Sequence, residues 1–196
     1  MYLSPTSSSC KELQLFMVKE SPFSIGFDFR VAALGPNIPE LYEIHFAVPM
    51  AGAIVSLLNI CQNSSDLAAQ LKLLEAKVLF VDHQYLKLVA DALEILTKTC
   101  TGFEFSKVVL MLETNPEAKM DAENNYGFEI VRPKSELDAY SIVFTSGTTG
   151  VPKGVVHSHR GAYLTTLAQI ILKEMKAMPV FLWTVPMYHC NGWCFT

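Results

Sequence analysis

A chain of 196 residues with 51% hydrophobic side chains is long enough for one domain with a substantial core. Its mean hydropathy of +0.28 fits buried parallel strands, or apolar faces meant for a further part of the molecule. Its net charge of −4 and pI near 5.7 leave no basic stripe to neutralise phosphates, which argues against nucleic acid as the main partner.

In chain order, residues 11–19 read as a short helix broken by Ser21-Pro22-Phe23-Ser24. Residues 31–34 are a short apolar run closed by Gly35-Pro36-Asn37, the pattern of a buried strand. Asn37 is expected to cap the next helix, with Pro39 in its first turn. Leu41, Ile44, His45 and Val48 fall at helical spacing, Pro49 makes the last turn irregular, and Gly52 ends the segment. Residues 53–57 read as a strand, and Asp66 as the cap of a helix running through Glu75. Residues 77–81 follow as a strand and 85–96 as a helix, with Leu86, Val89, Leu93 and Leu96 on one side. Residues 108–112 form another strand, and the polar stretch 113–133 a long surface connection. Then come a strand at 141–144, a strand around Val155-Val156, a helix over 161–175 and a last strand over 180–185. Strands alternating with helices, several of them apolar throughout, predict an α/β layered domain with a mixed, largely parallel sheet.

The five cysteines, Cys10, Cys61, Cys100, Cys190 and Cys194, are odd in number and lack the spacing of a small disulfide framework, so a reducing compartment is expected. No apolar run reaches the length of a membrane span. The Ser/Pro-rich residues 1–10 lack the basic and apolar regions of a secretory leader.

The chemistry is concentrated in one loop, Thr145-Ser146-Gly147-Thr148-Thr149-Gly150-Val151-Pro152-Lys153-Gly154. Glycines let a backbone approach phosphate oxygens, hydroxyls and amides donate hydrogen bonds, and the lysine adds a point charge. It is not a Walker A loop. Gly147 and Gly150 are three apart, Lys153 precedes a glycine, and Pro152 stands where the helix should begin. Gly154-Val155-Val156-His157 reads instead as a strand, so the loop joins two strands. His157 and His159 alternate across a strand period, so only one faces the site. The cluster of His189, Cys190 and Cys194 lacks a second pair of zinc ligands, and no metal site is assigned.

This loop resembles the signature loop of the adenylate-forming superfamily, which holds acyl-CoA synthetases, luciferases and the adenylation domains of peptide synthetases. Residues 36–43 with 49–53 resemble that family's first strand–helix unit, and Pro186-Met187-Tyr188-His189-Cys190-Asn191-Gly192-Trp193 its acyl-pocket motif. Arg132-Pro133-Lys134 and Ser158-His159-Arg160-Gly161-Ala162-Tyr163 bring the wording nearest to the plant acyl-activating enzymes that include benzoate–CoA ligase. The resemblance covers residues 30–196, a partial AMP-binding domain, while residues 1–29 are divergent.

The resemblance implies a two-step reaction: a carboxylic acid is activated by ATP as acyl-AMP, then passed to coenzyme A. It implies that Thr145, Ser146, Gly147, Thr148 and Thr149, with Gly150, hold the β and γ phosphates, and that Lys153 steadies the loop or the pyrophosphate. His189 is implied as the catalytic pocket histidine, near the acyl carboxylate and the adenylate phosphate, and Trp193 as a lining of the acyl or pantetheine channel. ATP, Mg²⁺ and CoA are the implied cofactors of the complete enzyme. The family's adenine and magnesium stretch, its ribose-holding aspartate and its lid lysine find no counterpart in these residues, and Ser56-Leu57-Leu58-Asn59 lacks the proline often seen before the Leu-Asn. The expectation is a fragment of an ATP-dependent acid–thiol ligase with little activity by itself, cytoplasmic or peroxisomal. The rival expectation is a non-catalytic product that binds nucleotide weakly or associates with a full-length relative.

Overall fold

The computed structural model describes residues 29–100, 107–111, 130–145, 152–177, 180 and 182–189. Six strands form one sheet: β1 (Arg30–Leu34), β2 (Ile54–Leu57), β3 (Val78–Asp82), β4 (Lys107–Met111), β5 (Ala139–Thr145) and β6 (Lys153–Ser158). Their order across the sheet is β4-β3-β1-β2-β5-β6. Every pairing is parallel except β5 with β6, which is antiparallel. Among the described residues four α-helices accompany the strands: α1 (Pro39–Met50), α2 (Ser64–Leu74), α3 (Leu86–Thr99) and α4 (His159–Leu172). The α/β reading with a largely parallel sheet therefore holds.

Alternation along the strands sorts the core into two layers. Val31, Ala33, Val55, Leu57, Val78 and Phe80 project to one face and meet Leu41, Ile44 and Val48 of α1. Ala32, Leu34, Leu79 and Val81 project to the other, against Leu67 and Leu71 of α2 and Val89, Ala92 and Leu96 of α3. Because both faces are covered, these strands carry apolar residues at most successive positions rather than at every second one.

Several local readings need correction. Asn37 does not cap α1. The cap position is Ile38, without a side-chain hydrogen bond, and the proline at Pro39 opens the helix by its fixed φ alone. Asp66 does not cap α2. Asn63 does, accepting the Asp66 N–H at 2.8 Å while its own Nδ2 donates to Asp66 Oδ2 at 2.9 Å. This reciprocal arrangement satisfies two groups at once, which a lone Asp66 cap three residues later does not. Helix α2 stops at Leu74 with Glu75 in the left-handed region at φ 49°. Arg30 supports that turn, donating to Leu74 O at 3.1 Å and to Glu75 Oε2 at 3.0 Å. Gly52 does end the first strand–helix unit. Its φ is +81°, and a Cβ there would lie 2.7 Å from Val131 Cγ1, so only glycine fits without strain.

The last expected strand, over 180–185, does not appear among the described residues, where Val180 and Leu182 are 92% and 82% exposed. An apolar run becomes a strand only when a neighbour takes its N–H and C=O groups. The outer place beside β5 is taken by β6. The expected helix at 11–19 and nearly all of the connection over 113–133 lie outside the described residues.

Candidate functional site

The phosphate-type loop leaves the carboxyl end of β5 and returns as β6. Thr145 and Lys153 are paired across its mouth in the antiparallel ladder, with seven residues, 146–152, between them. Thr145 Oγ1 lies 3.5 Å from Lys153 O as donor to acceptor, and Lys153 is exposed. The strand–loop–strand reading is therefore met, since the described residues on both sides of the loop are strand. Ser146, Gly147, Thr148, Thr149 and Gly150 lie outside the described residues, as does Trp193.

His189 comes to this edge of the sheet by a separate route. The turn that carries it is closed by a His189 N–H donating to Pro186 O at 3.0 Å. Met187, two residues earlier, is buried in the α1-side core. His189 and Thr145 then line one cavity of about 520 Å³, together with Leu57 at the end of β2, Asn59 just after it, His157 of β6, and Tyr188. Strands β2 and β5 run parallel, so this cavity sits outside their carboxyl ends, where open α/β sheets bind ligands. Of the two histidines left without a role by the sequence, His157 faces the cavity. His159 opens α4 and packs its ring against Tyr140, centroids 5.8 Å apart. Burial holds His159 below the ordinary histidine range, partly offset by the Asp138 carboxylate.

Three polar contacts that the sequence did not reveal hold this half of the molecule to the rest. Asn37, just past β1, donates from Nδ2 to Val185 O at 3.0 Å and accepts the Met187 N–H on Oδ1 at 2.8 Å. Ser56, fully buried in β2, donates to Ile142 O at 2.8 Å, where the β2–β5 ladder has a single Cα pair, Val55 with Ser141. Tyr140 of β5 shares a hydrogen bond with Nε2 of the buried His45 on α1. Burial pushes His45 down to about 3, so its ring is neutral at physiological pH. The available signal was a polar residue inside an apolar run, Ser56 in 53–57 and His45 in the α1 stripe.

Near the cavity, Cys61 Sγ lies 3.6 Å from Tyr188 Oη. That contact, then burial and the charges of Cys61 and Tyr85, push the Tyr188 phenol up to about 12, so it stays protonated. The site thus offers hydroxyls, imidazoles and an exposed lysine at a sheet edge, a set suited to positioning an anionic substrate and covering its charge.

Comparison with known proteins bears on the family and the fold. The profile of the family described as AMP-binding enzyme matches residues 24–196. The chain is 43% identical over 173 residues to "Probable acyl-activating enzyme 21" of Arabidopsis thaliana, covering 84% of this chain and 31% of that protein. It is 40% identical over 179 residues to the peroxisomal benzoate–CoA ligase of the same plant, covering 85% and 31%. It is 38% identical over 189 residues to acetate–CoA ligase CCL3 of Humulus lupulus, covering 88% and 33%. The chain therefore spans about a third of the length of these curated relatives. Among solved structures, a long-chain-fatty-acid-CoA ligase (FadD1) from Archaeoglobus fulgidus superposes with a TM-score of 0.74 at 23% identity, over 95% of this chain and 36% of that one. ATP-bound MatB from Rhodopseudomonas palustris does so with 0.73 at 21%, over 94% and 35%. These structural likenesses speak for the fold, and the sequence profile, with the relatives of about 40% identity, for descent: the chain belongs to the AMP-binding enzyme family.

Proposed function

We propose that these residues form the phosphate-holding part of an ATP-dependent acid–thiol ligase that makes an acyl-CoA from a small aromatic or short-to-medium aliphatic acid. The observation that carries this reading is the meeting of Thr145 and His189 in one cavity at the carboxyl edge of the sheet, with Lys153 across the loop mouth. The carboxylate would attack the α-phosphate of ATP, forming the acyl–phosphate bond and releasing pyrophosphate. The CoA thiol would then take the acyl group and release AMP. Such chemistry rests on positioning and charge cover, which Thr145, the loop amides and Lys153 can supply to the β and γ phosphates. His189 would orient the acyl carboxylate. Mg²⁺ is expected for the complete enzyme, but these residues offer no carboxylate at the loop to hold it, so no step is assigned to it.

The 196 residues by themselves are expected to bind nucleotide and to turn over little or nothing, since ribose- and lid-contacting groups have no counterpart here. Two measurements test this. Titration with ATP should show binding that weakens at least tenfold in Lys153→Ala. Exchange of labelled pyrophosphate into ATP should be undetectable with any acid. Acid-dependent exchange at the rate of a complete synthetase would overturn the second expectation, and no ATP binding by the folded chain would overturn the first. Relatives whose names carry "peroxisomal" favour that compartment over the cytoplasm. No helix of the described residues is long and apolar enough to cross a membrane.

A second reading has its own support. Helix α4 has no buried residue, and Ile171 and Leu172 are 72% and 76% exposed. Such a surface suits association with a full-length relative. Gel filtration of the mixture distinguishes the two: a shared peak supports pairing, and separate peaks exclude it.

A further inference from the structure

Beside the Tyr188–Cys61 contact and the buried Met187, the Asn37 side chain links the turn bearing His189 to the end of β1. Asn37 stands two residues after Gly35, at the carboxyl end of β1. It is 148 and 150 residues away in sequence from the two groups it holds, Val185 O and Met187 N–H. A carboxamide presents one donor and one acceptor side by side, and the two partners here are one acceptor and one donor, so both ends of the amide are used. The Met187 side chain anchors the turn in the core, but a single thioether side chain is flexible about several bonds and does not fix the turn's direction. Two directed hydrogen bonds do. The His189 N–H bond to Pro186 O then carries that direction to the imidazole.

We propose that Asn37 is a positioning residue, which sets the place of His189 at the cavity by aligning residues 185–187 with the end of β1. Asn37 itself does not line the cavity with His189 and Thr145, so it acts through the turn. The catalytic consequence rests on the ligase reading above, while the structural alignment does not. Asn37→Ala removes both bonds. Asn37→Asp keeps an acceptor for the Met187 N–H but loses the donor to Val185 O and sets a negative charge beside that carbonyl.

The test is hydrogen exchange and NMR on the 196-residue chain, followed by kinetics on these residues joined to the remaining two-thirds of benzoate–CoA ligase. In Asn37→Ala the Met187 amide should exchange at least tenfold faster, while Val31 and Leu79 amides in β1 and β3 stay within twofold. In Asn37→Asp the Met187 amide should stay within threefold of the parent. The His189 ring resonances should move in both variants. In the joined protein Asn37→Ala should lower kcat about tenfold with KM for ATP within threefold. An unmoved His189 ring in both variants overturns the proposal. So does a uniform rise in exchange across the sheet, or loss of fold in both variants, because Asn37 would then be merely structural. A joined protein without activity would count against the ligase reading alone, since the Met187 and His189 readouts decide the alignment independently.

Discussion

The two halves of the sheet are held by different forces. Around β1, β2 and β3, helices cover both faces, all five residues of β3 are buried, and stability comes from apolar area removed from water. Around β5, β6 and α4, only Ser141 is buried, and the helix carries Leu164, Leu167, Ile170 and Ile171 largely into solvent. That half is joined to the first by a thin apolar contact, Ile142 and Phe144 on one face and Met187 on the other, and by three polar side-chain links: Ser56 to Ile142, Asn37 to the 185–187 turn, and Tyr140 to His45. The apolar composition is similar in both, so composition does not decide burial. What decides it is whether a second layer is at hand. The proposed site residues Thr145, Lys153 and His189 all lie in this less covered half, where local opening is expected to cost less.

The contrast predicts a graded set of effects. The largest is Phe80→Ala, which should cost about 3–5 kcal/mol, because Phe80 of β3 is 1% exposed within the α1-side core. Urea unfolding with a matched m-value is the check, and a cost below about 1 kcal/mol would break the picture of a tightly packed first half. Next comes acid. His45 is neutral in the fold down to about 3, whereas an unfolded histidine titrates near 6.5. The unfolded chain therefore binds the extra proton between those values, and stability falls as pH falls through that window. From pH 7 to pH 5 the loss should be about 2 kcal/mol beyond that of a His45→Gln variant. Parallel urea midpoints for the two proteins across that range would contradict it.

Ser56→Ala is smaller, about 1–2 kcal/mol, since it leaves Ile142 O without its buried donor. Its effect should be local: amides of β5 and β6 should exchange faster than those of β1 and β3. Equal acceleration everywhere would mean that the two halves open as one unit. The smallest effect is Ile171→Ser on α4, expected within about 0.5 kcal/mol because the side chain is already 72% exposed. A loss of several kcal/mol there would show that α4 is covered in solution, and would favour the association reading.

The sequence showed the first half better than the second for the same physical reason. Where both faces of a strand are buried, the apolar runs at 31–34, 53–57 and 77–81 are unambiguous, and all three are strands within a residue or so of their expected ends. Caps were less legible. Asn37 and Asp66 both have the chemistry of an N-cap, and only three-dimensional partners show that Asn37 serves the His189 turn and that Asn63 caps α2. The run at 180–185 has strand composition, but its pairing partner is a non-local matter that composition does not encode. The loop stood out in the sequence because its residue types suit phosphate chemistry, whereas Ser56, Tyr140 and His45 act through contacts about 90 residues apart.

The most direct test of the central claim joins these residues to the remaining two-thirds of benzoate–CoA ligase and measures exchange of labelled pyrophosphate into ATP. The account predicts exchange that depends on an added carboxylic acid and falls at least tenfold in both Lys153→Ala and His189→Ala. A folded joined protein with no exchange, or with exchange indifferent to acid and to both substitutions, would contradict it.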